Sequence, residues 1–221
     1  MAKTKAADRI DAMMERASAA LEATDYFTAE AEAAAALEAA HRAGDDDRMA
    51  RILMPLEEAR RQKRLLAADA GVAGRLCELP GPDWPDRPGC WLVEPPLVGA
   101  DARELRRQAD ERRVPTIVIC REPATDAGLW PVVVIGLKTV RAYVDPPEGG
   151  APDTPWFLDA AEALGEAAID TVDPARSARA RVEDLIALVQ TLRDHDRLHQ
   201  ALAQTCREAM REPAEPGRRA G

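Results

Sequence analysis

Two histidines near the carboxyl end of the chain have the spacing of metal ligands on a helix. His195 and His199 lie four residues apart in RDHDRLHQALAQTC, and Cys206 follows seven residues later. Residues four apart are neighbours on one helical face, so a ring nitrogen from each histidine can reach one ion. Cys206 lies about 10 Å farther along a straight helix, which excludes it as a third ligand. The spacing therefore makes His195 and His199 a candidate metal site.

The same segment also fits a packing face that holds no metal. Leucines continue the helical stripe of the histidines on both sides, at Leu188, Leu192 and Leu202. Asp196 stands where the zinc-protease motif H-E-x-x-H has glutamate. A core stripe with partly buried histidines is therefore the alternative, and the leucines favour it.

Charged residues end two of the predicted strands. Glu94 closes CWLVE (90–94), and Arg121 and Glu122 close TIVICRE (116–122). In open α/β sheets, ligands bind at the carboxyl ends of parallel strands. These three residues are therefore a candidate site for a small ligand or a reaction. The alternative is a structural ion pair between Arg121 and one of the glutamates.

The sequence contains no motif for catalysis or for a cofactor. Its two serines, Ser18 and Ser177, lie in helical patterns and outside any G-x-S-x-G elbow. Cys120 ends an apolar strand, where buried thiols are usually inert. Neither G-x-G-x-x-G nor G-x-x-x-x-G-K-[ST] occurs. We therefore expect no cofactor, and the sequence favours a chain without catalytic activity.

The charge and hydropathy of the chain argue against two classes of partner. The net charge is −9 and the pI is near 5.0, whereas binding to a phosphate backbone needs a basic face. No apolar run reaches the roughly 18 residues that span a bilayer, and the N-terminus lacks the apolar core of a signal peptide. We expect no nucleic acid and no membrane. A protein partner or self-association is expected, with a small-molecule ligand as a further option.

The four cysteines lack the C-x-x-C spacing of metal and redox motifs. In a chain of this size they predict a reduced, cytoplasmic protein. A Cys77–Cys90 bridge across a proline-rich loop is the alternative.

Residues 1–70 are predicted to form a helical-hairpin domain. Its three helices cover about 7–23, 26–43 and 48–67, with breaks at Thr24-Asp25 and at Gly44. Pro55 predicts a kink in the third helix.

Within this domain, Tyr26 is followed by Ala29, Ala33 and the pair Ala36-Leu37. This spacing resembles the tetratricopeptide-repeat family over residues of about 7–64. Ala33 stands where the family has a larger residue, and a loose second copy follows after about 21 residues, whereas the family repeats every 34. The resemblance implies helical-hairpin packing and binding of a protein partner, and it transfers no functional residue.

A proline- and glycine-rich connector (71–89) leads into a predicted α/β unit (90–150). A helix (99–114), with Asp101 as its N-cap, separates strands 90–94 and 116–122, which predicts a parallel pair. Two further strands, 129–136 and 139–144, are close enough for a hairpin. We expect a mixed sheet of four strands.

Residues 151–211 return to helices. The first is expected at 156–172, and a single long helix follows from Asp173-Pro174 to about 211. These helices are expected to pack on the sheet or on the N-terminal helices, and the tail (212–221) is expected to be disordered.

The predicted fold class is therefore α+β, with a helical, an α/β and a second helical region in that order. Trp84, Trp130 and Trp156 are candidate interface residues because tryptophan is enriched in binding hot spots. The function that the sequence favours is a protein–protein interaction or assembly module. A ligand-binding or enzymatic domain and a metal-binding helix are the alternatives.

Overall fold

The computed structural model describes residues 2–212, with side chains from residue 5 onward. Three helices come first, and they are α1 (Ala2–Glu22), α2 (Tyr26–Ala43) and α3 (Asp46–Asp69). Each packs on the next, and the connections of two or three residues make neighbours antiparallel. The predicted disordered tail lies outside the described residues except for Glu212.

Short polar side chains and one glycine set the boundaries of these helices. The carboxylate of Asp25 accepts a hydrogen bond from the Thr28 amide (3.0 Å) and begins α2, and Asp45 caps α3 in the same way through the Arg48 amide (3.0 Å). Gly44 ends α2 with a left-handed φ of 63°, a conformation that glycine adopts without a steric cost. The predicted breaks are confirmed, and α3 continues through Pro55 as one helix.

The sheet has five strands, one more than predicted. They are β1 (Ala73–Leu76), β2 (Gly89–Val93), β3 (Thr116–Arg121), β4 (Trp130–Ile135) and β5 (Thr139–Val144). Their order in the sheet is β1-β2-β3-β4-β5, with β1, β2 and β3 parallel and the last two pairs antiparallel. β1 was missed because its sequence, AGRL, has no apolar alternation and lies in the predicted connector.

Helix α4 (Gly99–Glu111) connects the parallel strands β2 and β3, as predicted. Asp101 is not its N-cap. Val98 occupies that position, and the Asp101 carboxylate, in the first turn, accepts a hydrogen bond from the Val98 amide (2.8 Å).

The predicted long C-terminal helix is two helices. A short 3-10 turn (Glu148–Gly150) and α5 (Thr154–Asp170) precede α6 (Ala178–Thr191) and α7 (Asp196–Ala209). Ser177 caps α6, and residues 192–195 separate α6 from α7. The break replaces the single helical stripe that was predicted to carry both histidines.

The sheet lies between α4 on one face and the remaining helices on the other. Val93, Val118 and Cys120 pack under α4 with Leu105. The opposite face belongs to a larger core that extends from Ile10 in α1 to Ala209 in α7 and includes the strand residues Cys90, Leu92, Ile117, Ile119, Val132 and Val140. The terminal helices thus pack on each other, α3 against α7, and also cover the sheet through α3 and α5.

None of the helices within residues 2–212 is long and apolar enough to cross a membrane. The four cysteines are free thiols, and only Cys77 is exposed.

Candidate functional site

The two histidines near the break between α6 and α7 are both buried, but their rings have different partners. His199 donates from Nδ1 to the His195 carbonyl (2.9 Å) and accepts at Nε2 from Nη1 of Arg60 (2.9 Å). Both ring nitrogens of His199 are therefore engaged, and neither has a lone pair for an ion shared with His195. The structure does not bring the predicted pair of ligands together.

His199 belongs to a buried polar group that we call the Arg60 cluster, formed by Glu30, Arg60, the Val189 carbonyl and His199. Arg60 is 5% exposed, and it donates to Glu30 (2.8 Å) and to the Val189 carbonyl (3.0 Å) as well as to His199. Lys63 also donates to Glu30 (2.7 Å). The cluster joins α2, α3, α6 and α7 through one guanidinium group.

Burial and charge decide the protonation of this cluster. Burial penalises a charged ring and the Arg60 charge repels one, and together they lower the pKa of His199 to about 3. Burial alone would raise the pKa of Glu30, but the charges of Arg60 and Lys63 outweigh it and hold that pKa well below its usual range. A neutral His199 thus accepts from a charged Arg60, which pairs with a charged Glu30.

His195 faces the other way, towards α5, where it forms what we call the Glu–His cluster with Glu162 and Glu166. Its Nε2 lies 3.3 Å from an oxygen of Glu162 and 3.6 Å from an oxygen of Glu166. Neither contact has hydrogen-bond geometry, so both ring nitrogens of this buried residue lack a hydrogen-bond partner among the described residues. Arg197 also pairs with Glu166.

The ring of His195 lies directly against the backbone of α5. Gly165 stands at the contact, and a methyl group there would overlap the ring atoms of His195. Glycine costs a helix roughly 1 kcal/mol relative to alanine. Its presence in the middle of α5 is explained by this close approach.

A third feature is a cleft between α4, α2 and the β4–β5 hairpin, which we call the arginine cleft. Two adjoining cavities of about 380 and 960 Å³ form it, and they share Arg103, Gly136, Gln190 and Arg193. The lining contains seven basic side chains, which are Arg60, Lys63, Arg103, Arg106, Arg107, Arg113 and Arg193. Five acidic side chains also line it, which are Glu30, Glu38, Glu104, Asp110 and Glu111.

Ion pairs hold the basic side chains of the cleft in place. Asp110 accepts from Arg193 (2.8 Å) and from Lys63 (2.6 Å), and Asp194 pairs with Arg106. Arg103 is exposed and has no ion pair within the described part of the chain. The cleft therefore combines fixed guanidinium groups with one that is available to a ligand.

At the predicted site at the strand ends, Glu94, Arg121 and Glu122 are all engaged in ion pairs. Glu94 is buried and accepts from Arg121 (2.5 Å) and from Arg75, while Glu122 pairs with Arg141 (2.7 Å). Burial opposes the charge on Glu94, but the two arginines outweigh it and lower its pKa. Arg121 and Glu94 do meet as predicted, and the geometry is that of a structural pair.

The buried thiols are poor nucleophiles. Burial raises the pKa of Cys120 to about 11 and that of Cys206 to about 12, so both are protonated near neutral pH.

The predicted interface tryptophans are half-buried and pack on other aromatic rings. Trp84 contacts Trp91 edge to face (5.8 Å between ring centroids), and Trp130 contacts Trp156 in the same way (5.9 Å). Trp156 also donates to the Asp145 carbonyl (2.9 Å). These contacts anchor the loops and α5 to the sheet.

Sequence reasoning missed Glu162, Glu166 and the arginine cleft. One signal was present for the glutamates, since they lie four apart on one face of a predicted helix and flank a glycine among alanines. The cleft had no local signal, because its arginines come from α3, from α4 and the turn after it, and from the segment between α6 and α7.

In comparisons with family models, curated proteins and solved structures, nothing matches this chain.

Proposed function

We propose that this protein is an interaction module that binds an acidic segment of a partner protein in the arginine cleft. The observation that carries the proposal is a local reversal of charge. The cleft lining has seven basic and five acidic side chains, whereas the whole chain has 30 basic and 39 acidic ones. Complementary charge speeds encounter with an acidic partner and disfavours basic ones.

Within the described chain, the acidic side chains of the cleft are all ion-paired, and so are its basic side chains except Arg103, which is the cation open to a ligand. Glu30 and Asp110 each accept from two basic side chains, and Glu104 pairs with Arg107. The same pairs fix the cations before a ligand arrives, so that less side-chain entropy is lost on binding.

Apolar contacts complete the cleft. Ala31, Ala34 and Ala35 form a low wall on α2, and Leu137, at the tip of the β4–β5 hairpin, is exposed. A segment that alternates acidic and apolar residues matches this surface. A small polycarboxylate in the 380 Å³ cavity is the second candidate, since four arginines and a single glutamate line that part.

The test is binding of a fluorescent peptide of alternating glutamate and leucine, followed by anisotropy. Arg103→Glu is expected to weaken binding about tenfold, equivalent to about 1.4 kcal/mol. Arg9→Glu is the matched control, because Arg9 is exposed on α1 away from the cleft and the change in net charge is the same. Equal losses in both variants, or no binding by the wild type, would contradict the proposal.

Competition by citrate separates the two candidate ligands. If citrate binds directly and only Arg103→Glu weakens it, while the peptide does not bind, the cleft is a small-anion site. If the peptide binds, and citrate displaces it no better than sodium chloride of the same ionic strength does, the partner is a protein segment.

A further inference from the structure

We propose that His195, Glu162 and Glu166 bind a divalent transition-metal ion, for which Zn²⁺ is the probe, between α5 and the start of α7. The site is separate from the arginine cleft, and the proposal does not depend on the proposed function.

The donor set suits such an ion. One imidazole nitrogen and two carboxylate oxygens are ligands that zinc and its neighbours accept, whereas Mg²⁺ and Ca²⁺ prefer oxygen alone. Among the described residues, this is the one group of three or more His, Cys, Asp or Glu side chains whose ligand atoms all lie within 4.8 Å of one another. Three protein ligands leave a position for water or another ligand.

The distances fit a shared ion. Two metal–ligand bonds of about 2.0–2.1 Å at a tetrahedral angle place the ligand atoms about 3.4 Å apart. Nε2 of His195 lies 3.3 Å from Glu162 and 3.6 Å from Glu166. The two carboxylate oxygens lie no more than 4.8 Å apart, so all three ligand atoms are close enough to share one ion.

The buried histidine is the observation that separates this group from an ordinary acidic cluster. Its side chain is 3% exposed, and neither of its nitrogens makes a hydrogen bond within residues 5–212. A buried polar atom without a partner costs free energy, and such atoms are rare in folded proteins. A cation between Nε2 and the two carboxylates would satisfy the nitrogen and both negative charges.

Gly165 holds the histidine in this position. It lies between the two glutamates on α5, and the ring of His195 occupies the space that a larger residue would fill. The helix thus presents both carboxylates to Nε2 of the ring.

Two features set the expected strength of the site. Nδ1 of His195 lacks the second hydrogen bond that orients most metal-binding histidines, which lowers affinity by about 10–100-fold. Arg197 pairs with Glu166 and competes with a cation for that carboxylate. We therefore expect reversible binding, weaker than that of a structural zinc site.

The experiment is calorimetric titration of metal-stripped, full-length protein with Zn²⁺. A Cys77→Ser background removes the one exposed thiol, which could otherwise bind the ion. We expect one equivalent to bind. Glu162→Gln, an exposed and nearly isosteric change, should weaken binding at least about tenfold, and Gly165→Ala should weaken it similarly by displacing the ring.

Two further variants discriminate the proposed site from general surface binding. Arg197→Ala removes the competing charge and is expected to strengthen binding. His41→Gln is the matched control, because His41 lies 3.1 Å from a single carboxylate, that of Glu183, and its loss should leave the affinity unchanged.

The results that would overturn the proposal are equally specific. They are the absence of Zn²⁺ binding, or binding that Glu162→Gln leaves unchanged, or binding that His41→Gln abolishes. Because Glu162 lies at the surface, loss of folding does not account for its effect, and circular dichroism of each variant confirms this.

Discussion

His195 and His199 lie at the start of α7 and are both almost fully buried, yet their surroundings are opposite. His199 uses both ring nitrogens, one with Arg60 and one with the backbone. His195 uses neither in a hydrogen bond, and it faces two carboxylates. A buried histidine whose ring nitrogens are both hydrogen-bonded stabilises the fold. One whose nitrogens lack hydrogen bonds and lie beside carboxylates can still bind a ligand. The spacing of four residues suggested a shared site, but the two side chains belong to different clusters.

The largest expected effect concerns the partner of His199. Arg60→Met removes the cation that pairs with Glu30 and leaves the histidine and the Val189 carbonyl without their donor. Removal of one partner of a buried ion pair costs about 3–5 kcal/mol. Urea denaturation measures the loss, and Arg197→Ala, on the exposed side of α7, should change stability by less than about 1 kcal/mol.

The same substitution at the two histidines tests the comparison directly. His199→Met breaks two hydrogen bonds and leaves Arg60 with an unused donor, which should cost about 1–3 kcal/mol in the free energy of unfolding. If His199→Met is neutral, the Arg60 cluster does not stabilise the fold in the way proposed.

The pH dependence of stability should also depend on His199. Its pKa is lowered from 6.5 to about 3 on folding, so between these values the unfolded state binds more protons and stability falls as the pH falls. From pH 7 to pH 5.5, the wild type should lose about 1 kcal/mol more than His199→Met. Urea midpoints at both pH values measure this difference, and parallel losses would contradict it.

The smallest effect is expected at His195. His195→Met removes no hydrogen bond and keeps most of the buried volume, so in the metal-free protein it should change stability by less than about 1 kcal/mol. Chemical denaturation in the presence of a chelator measures it. A loss as large as that of His199→Met would show that the two positions do not differ.

The elements whose boundaries depend on nearby residues could be predicted from the sequence. Asp25, Gly44 and Asp45 act on amides or carbonyls within five residues, so the breaks among the first three helices follow from local chemistry. The hairpin of β4 and β5 follows from two apolar runs and a short turn.

The rest depends on contacts between distant residues. The break between α6 and α7 contains no proline or glycine. Asp194 and its neighbours are held by Arg64, which is 130 residues away, and by Arg106, which is 88 residues away. β1 forms only because β2 accepts it as a partner. For the Glu–His cluster, His195 was identified from the sequence, but its glutamates depend on where α5 packs.

The Arg60 cluster also has a consequence for synthesis of the chain on the ribosome. It connects residues 30, 60, 189 and 199. The polar contacts of α2 and α3 are therefore complete only once α7 is present. Chains emerge from the amino end, and N-terminal regions usually fold first. In this protein, a nascent chain that ends before α7 would leave Arg60 with only part of its partners. We expect the N-terminal helices to acquire their final packing only after α7 has been synthesised and can pack against α3.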